Sequence, residues 1–352
     1  MFIMKIKEFQ KFLQEKRIDA CILFNTSNNK KDYNATYFSG LDLELFFVIV
    51  PKKKKPFVVV SNLEIGRAKK LSNLSVIGFE KDLFKLLKEK IGKIDSLGIN
   101  FKSVSLHESK LLKKELCKKM VDISDELRIL RETKTDKEIR IIEKAAKVGD
   151  EIFKKTIDNF KSFKTELDVK LFMDSEIRKK GYEPAFETVV NSGSNASHGH
   201  FSAQDERLKK GFCIIDFGVK INNYNSDMIR TVYMGKPNKK EIETYERLRK
   251  IQQECIDSVK ESMNFRDLDN IARKDIGKDL IHALGHGLGL EVHEGPNVGP
   301  NSKDKIEIGH LFTVEPGIYV KDKLGIRIED DVILTKKGVK VLTKSTKELI
   351  IL

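Results

Sequence analysis

The chain has no tryptophan, seven prolines and four cysteines in 352 residues. Cys21, Cys117, Cys213 and Cys255 are scattered and form no C-x-x-C pair. That spacing excludes a disulfide framework and a zinc knuckle as the organising feature. No apolar run approaches the ~20 residues of a membrane-crossing helix, and the longest useful one is Leu45 to Val50. Lys5, Lys7 and Glu8 occupy the place of a signal-peptide core. No low-complexity segment interrupts the sequence. These absences predict a cytoplasmic protein with no membrane partner.

What is present is the composition of a globular protein, 34% charged and 40% hydrophobic, in a chain long enough for two separate cores. The net charge of +13 invites a nucleic-acid reading. Most lysines, however, alternate with glutamate and aspartate along helical faces, which is the pattern of a solvated surface. The one tight run, Lys52 to Lys55, sits between Pro51 and Pro56 and joins two apolar segments as a hairpin loop would. No nucleic-acid partner is expected.

Over residues 1–123 helical and strand patterns alternate. Helices are predicted at Met4–Arg17, Leu63–Leu71, Leu83–Ile91 and Leu106–Leu116. Strands are predicted at Ala20–Phe24, Leu45–Val50, Phe57–Val60, Ser75–Phe79, Ser96–Ile99 and Val121–Ile123. This alternation indicates a separate α/β domain. Residues 124–134 read as a linker. Thr135-Asp-Lys-Glu138 is a capping box that opens a long helix and a second domain, 135–352. There, helices near 165–181, 239–263 and 268–278 flank antiparallel hairpins, an α+β pattern.

Two of those hairpins carry paired carboxylates. Cys213, Ile214 and Ile215 read as a strand that delivers Asp216, Ile221-Asn222-Asn223 as a turn, and Met228 to Met234 as the return. A turn centred near Ile221 and Asn222 would set Asp216 directly opposite Asp227, with Cβ atoms ~5 Å apart. Glu315 and Glu329 are equidistant from Asp322 in a second hairpin. Like charges so placed repel, and a divalent cation between them removes the conflict. Between the hairpins lies His282-Ala-Leu-Gly-His286-Gly-Leu-Gly-Leu-Glu-Val-His293, histidines on a backbone whose glycines permit close approach. Four carboxylates and one imidazole suit Mn²⁺ or Co²⁺, with Fe²⁺ and Zn²⁺ also compatible. Their charge of −4 matches two divalent ions.

The order Asp216, Asp227, His286, Glu315, Glu329 resembles the five ligands of the pita-bread metallopeptidases, the group of creatinase, methionine aminopeptidase, aminopeptidase P and Xaa-Pro dipeptidase (prolidase). The contexts agree too: Ile-Asp-Phe-Gly, Tyr-x-Ser-Asp-x-x-Arg-Thr, Leu-Gly-His-Gly-x-Gly-Leu-x-x-His-Glu, Val-Glu-Pro-Gly-Ile-Tyr and Ile-Arg-Ile-Glu-Asp. The resemblance implies an α+β pita-bread catalytic domain preceded by a smaller α/β creatinase-type N-terminal domain. Asn34-x-x-Tyr37-Phe-Ser-Gly40 and Leu130-Arg-x-x-Lys134-x-x-x-Glu138-Ile are similar to prolidase segments. For Tyr37 and Phe38 core packing is the preferred role.

The resemblance also implies roles. Asp227 and Glu329 sit between two metals, Asp216 serves one, and His286 and Glu315 serve the other. Glu315 doubles as a proton shuttle, His293 contacts the substrate and developing oxyanion, and Arg327 orders the site or the substrate. Apart from the resemblance, His282 either lines the pocket or is a packed histidine. Counting from Ser192-Gly-Ser-Asn195 places the remaining family histidine at His200, with His198 as the alternative. His107 and His310 are assigned to structure or surface. Ile229 stands where relatives often have threonine, and Asn297 where some have a basic residue.

The implied reaction is hydrolysis of Xaa-Pro bonds by a metal-bridging hydroxide, most naturally in dipeptides, by a homodimer. One alternative is an aminopeptidase P acting on longer peptides, and another is a non-catalytic pita-bread binding protein. A metal-free creatinase-like enzyme is disfavoured because all five ligands are retained. A dinucleotide site fails because Leu290 stands where the last glycine belongs, and no H-E-x-x-H zinc motif exists because Asn297 follows His293 at that offset.

Overall fold

The computed structural model describes residues 2–26, 31–198 and 202–352. They form two compact units, 1–130 and 131–352. The first unit runs α1 (Phe2–Glu15), β1 (Ala20–Asn25), α2 (Tyr33–Ser39), β2 (Phe46–Pro51), β3 (Phe57–Ser61), α3 (Ile65–Leu71), β4 (Ser75–Phe79), α4 (Leu83–Ile91), β5 (Ser96–Ile99), α5 (Leu106–Leu116) and β6 (Lys119–Asp122). Its strands make one mixed sheet in the order β4-β3-β2-β1-β5-β6. Every residue of β1 and β2 is buried, as expected of apolar strands covered on both faces. Lys52 to Lys55 lie in the loop of the antiparallel β2–β3 pair.

Helix α2 was not visible in the sequence. It has only seven residues, too few for a periodic signal, and its ends are fixed by local chemistry. The Asp32 side chain accepts from Asn34 N, and Gly40 closes it with φ 74°. Tyr37 and Phe38 are core residues, with the Phe38 ring 5.1 Å from Phe9. Ser124–Glu132 forms helix α6, and the division between the units falls within it.

In the second unit, α7 (Asp136–Asp158) and α8 (Glu166–Lys179) each begin with a complete capping box, Thr135 with Glu138 and Thr165 with Asp168. They are followed by β7 (Glu183–Pro184), β8 (Val189–Ser192), a 3₁₀ turn (Gly193–His198), β9 (Gly211–Phe217), β10 (Val219–Ile221), β11 (Tyr224–Asn225) and β12 (Met228–Met234). Next come α9 (Lys239–Asp257), α10 (Phe265–Ile276), β13 (Gly285–Gly287), β14 (Glu294–Val298), β15 (Leu311–Val314), β16 (Gly317–Val320), β17 (Leu324–Arg327), β18 (Asp330–Thr335) and β19 (Gly338–Val341). Ile152, Phe153, Val169 and Met173 of α7 and α8 pack on Ile215 and Phe217 of the sheet β12-β9-β8. Leu248 and Leu268 of α9 and α10 pack with Phe312 and Val332 of the sheet β14-β13-β15-β18-β19. Each helix pair thus shields the apolar face of one sheet, and the opposite faces carry the polar residues.

The register corrects one expectation. Asp216 pairs with Ile229, not with Asp227. The hairpin turns between Asn222 and Asn223, both with positive φ (48° and 69°), and Ile221 pairs with Tyr224. Asparagine tolerates the left-handed conformation that such a two-residue turn requires. The axis therefore falls one residue later than the midpoint of the two aspartates. They remain on one face of the sheet, offset diagonally. In the second hairpin, Val314 pairs with Asp330 and Gly317 with Arg327, so Glu315 and Glu329 do stand opposite each other where two sheets meet.

The 3₁₀ turn Gly193–His198 lies directly on β17, because Gly325 has no side chain to keep it away. A Cβ there would stand 1.8 Å from the Ala196 carbonyl oxygen. Gly325→Ala is expected to destabilise the second unit by about 2–4 kcal/mol, since backbone must move. Chemical denaturation measures it, and an unchanged midpoint would contradict the packing.

Candidate active site

Strand β9 delivers Asp216 and β12 begins just after Asp227. The β13 residue His286 lies on the next sheet, and Glu315 and Glu329 sit at the ends of β15 and β18. Alternation along each strand sends one set of side chains into the helices and the other into a common centre. All four carboxylates are buried. Asp227, His286 and Glu329 each place one ligand atom within 4.8 Å of the others. The His286 Nε2 atom is 3.2 Å from Glu315 Oε1 and 3.8 Å from Asp227 Oδ2. Arg327 Nη2 donates to Asp216 Oδ2 at 2.6 Å, and its Nη1 lies 3.8 Å from Glu315 Oε2.

Among the described residues, the centre has too few hydrogen-bond donors for its acceptors, and Asp227 Oδ1 and both Glu329 carboxylate oxygens are buried without a hydrogen-bond partner. Buried acceptors in that state are costly unless a proton or a cation serves them. Burial, then the charges of Asp216, Asp331 and Glu315, push the Asp227 carboxyl well above the usual range. Burial, then Asp227 and Glu315, do the same to Glu329. Glu315 behaves oppositely. Burial raises it, but the His286 hydrogen bond and charge, with Arg327, bring it down to about 2. Burial lowers His286, yet Glu315 outweighs this and the imidazole ends above its ordinary value. The His286 Nδ1 atom is 3.2 Å from the Gly287 carbonyl oxygen, an arrangement that directs Nε2 to the centre. Hard oxygen donors, an imidazole and orphaned carboxylate oxygens fit divalent cations.

The other expected residues fall at different depths. The rings of His293 and His286 meet edge to face with centroids 4.2 Å apart. His282 packs against Tyr319 at 5.6 Å, beside Gly317. Arg327 is buried and turned towards Asp216 and Glu315, which places it among the carboxylates. His198 is half-exposed at the β16–β17 turn, 4.0 Å from Asp322. His200 lies outside the described residues. His310 is buried and stacks on Phe265, while His107 is exposed. Ile229 is buried opposite Asp216, and its carbonyl accepts from Glu329 N.

Several supporting residues escaped the sequence reading. Thr313 accepts from His286 N and donates to Glu315 Oε1 at 2.9 Å. Asp331 accepts from Asp227 N at 3.0 Å. Arg230 donates to the Ile229 and Glu329 carbonyls and pairs with Asp330 at 2.7 Å. Thr313 carried one usable signal, its position two residues before Glu315 on the same strand face. The partners of Asp331 and Arg230 are a hundred residues away, and no local pattern announces them.

The sequence profile described as metallopeptidase family M24 matches residues 140–336, more than half of the chain. The chain belongs to metallopeptidase family M24. The profile of the creatinase/prolidase N-terminal domain matches residues 5–133. The Xaa-Pro dipeptidase of Pyrococcus furiosus is 34% identical over 98% of this chain and 99% of its own. The crystal structure of the Pyrococcus horikoshii prolidase is 34% identical with a TM-score of 0.90, covering 98% of this chain and 99% of that one. The X-Pro aminopeptidase of Thermotoga maritima is 29% identical with a TM-score of 0.88, over 96% and 99% of the two chains. This M24 enzyme therefore has a creatinase-type α/β unit followed by a pita-bread catalytic unit, and divalent metal ions belong to its chemistry. No helix among the described residues is long and apolar enough to cross a membrane.

The raised carboxyls give a pH prediction. A folded state that holds protons on Asp227 and Glu329 binds more of them than the unfolded chain does. Stability of the metal-free protein then falls as pH rises above the ordinary carboxylate pKa. His286, also raised, adds a loss in the same direction as pH rises through its folded value. Melting temperature without metal should drop between about pH 5 and about pH 8, and saturating Mn²⁺ should flatten that drop with release of protons. A metal-free melting temperature that rises across this window would contradict the arrangement.

Proposed function

We propose that this M24 metallopeptidase hydrolyses the Xaa-Pro bond of dipeptides. The observation that carries the reading is the convergence of Asp227, Glu329 and His286, with unpartnered buried oxygens on both carboxylates, in a chain similar to a dipeptidase along its whole length. Asp216, Asp227, His286, Glu315 and Glu329 would hold two divalent ions, with Mn²⁺ or Co²⁺ favoured and Fe²⁺ or Zn²⁺ compatible. Such ions when bound acidify a water and polarise the scissile carbonyl.

The chain's own residues do the rest. Glu315, kept ionised by His286 and Arg327, accepts a proton and returns it to the leaving amine. His293, beside His286, hydrogen-bonds the substrate and its developing oxyanion. His200 fills the remaining substrate-contacting role, His198 being the alternative, and His282 lines the pocket. Arg327 orders the carboxylates: its contacts with Asp216 and Glu315 are inside the site, which leaves His293 as the cation candidate for a dipeptide carboxylate. Four free cysteines suit a reducing cytoplasm. A homodimer is carried by the family resemblance alone.

Asn297, opposite His286 in the β13–β14 pair, is neutral, which keeps the aminopeptidase P reading in play. The test compares kcat/KM for Met-Pro or Leu-Pro with the same peptides extended by two residues, in the Mn²⁺-loaded enzyme. Dipeptides should win, and a tenfold preference for extended peptides, about 1.4 kcal/mol, would transfer the enzyme to the aminopeptidase class.

Asp216→Asn and Glu329→Gln should abolish turnover, as should a chelator, with recovery on adding Mn²⁺ or Co²⁺. Full activity of the chelated protein would overturn the metal reading. His200→Ala should cost roughly 10²-fold in kcat with metal retained, and His198→Ala little. The reverse ranking would exchange the two residues. Arg327→Lys should lower dipeptide and extended-peptide rates equally, whereas a loss confined to dipeptides would place Arg327 on the substrate.

A further inference from the structure

The loop from β13 to β14 carries His293, and its two ends are held by unusual chemistry. At one end Asn225, two residues before Asp227, donates from Nδ2 to the Gly289 and Leu290 carbonyls at 3.0 Å each. At the other end stands Glu294, whose side chain is 6% exposed. Lys134 Nζ donates to Glu294 Oε1 at 2.8 Å, and Arg131 Nη2 contacts Glu294 Oε2. Arg131 Nη2 also reaches Glu291 Oε1 at 2.9 Å, and Glu291 N donates to Glu294 Oε2 at 3.2 Å. Lys134, 1% exposed at its side chain, spends its other contacts on the Arg131 and Glu132 carbonyls. The backbone closes tightly on this pair. A Cβ on Gly289 would lie 2.5 Å from Glu294 Oε1 and 3.1 Å from Lys134 Cε.

A buried ion pair gives little net stability relative to apolar residues of similar size. Its distinctive effect is geometric, because two cations arriving from fixed directions define where one carboxylate stands. Glu294 is the neighbour of His293 in sequence, and His293 itself is exposed. The imidazole projects from the backbone next to Glu294, so what fixes Glu294 also fixes the point from which the ring reaches into the site. The ring meets His286 at 4.2 Å.

We propose that Glu294, clamped by Arg131 and Lys134, is a positioning residue that fixes the His293 imidazole against His286. The inference rests on the reading of His293 as a substrate-contacting residue. It also assigns work to the Arg131-x-x-Lys134 segment, which lies 160 residues away in sequence from the loop it holds.

A double-mutant cycle on the Mn²⁺-loaded enzyme tests it, with Leu-Pro as substrate. Glu294→Gln should lower kcat about tenfold with little change in KM and with Mn²⁺ affinity, read by calorimetry, within about threefold of the parent. In the His293→Ala background the same change should cost less than about twofold, because the residue being positioned is already gone. Lys134→Met/Glu294→Leu, which keeps the site filled and folded, should show the same coupling. Loss of rate that is fully additive with His293→Ala, in both clamp variants, overturns the positioning role and leaves His293 in place. A His293→Ala enzyme with parental activity overturns the reading of His293, and the clamp with it.

Discussion

The constraint on which the catalytic unit depends is the crowding of four carboxylates in a space nearly closed to water. Left alone, such a cluster repels itself, and burial removes the solvent that would screen it. The surroundings answer in three ways. His286 and Arg327 supply positive charge to Glu315 and Asp216. Protons raised onto Asp227 and Glu329 cover part of the remainder in the absence of metal. Divalent ions, which belong to the chemistry of family M24, would complete the balance.

Holding mutually repelling groups together requires a frame that does not yield. Behind the site, Arg230 bonds the Ile229 and Glu329 carbonyls and Asp330, and it also donates to the Ser345 carbonyl of the C-terminal segment. Asp330 in turn accepts from Thr343 and Gln252. One buried guanidinium therefore ties both carboxylate hairpins to each other and to the chain end. Thr231 adds a second tie, its hydroxyl bonding both Arg327 N and the Arg327 carbonyl. With each hairpin also pressed against its own pair of helices, the site is built from rigid elements. The loop between β13 and β14 brings His293 to it from outside the strands.

Much of this was legible from the residues. Period-2 strands, the capping box at Thr135, and the two asparagines of the first turn are local signals with local causes. The paired carboxylates were legible because equal spacing about a turn is a geometric statement. Glu315 and Glu329 obeyed it, and Asp216 and Asp227 missed by one diagonal step. The miss has a cause: the left-handed conformations fell on Asn222 and Asn223, and turn chemistry, not charge symmetry, sets a hairpin's axis. Helix α2 was missed because a seven-residue helix held by its caps has no periodicity to read.

By itself, then, the sequence determined most of the elements and the two-part organisation, since these depend on neighbours within a turn or a strand. Tertiary structure alone decided which groups share a proton or a cation. Glu315 and Glu329 are the same residue type in similar strand contexts, yet one is driven down and the other up, because His286 faces the first and Asp227 the second. Likewise only the fold brings Arg327 to Asp216 and Glu315. Charge interactions depend on distance through space, and the residues that set them here arrive from β9, β13, β15 and β18, far apart along the chain.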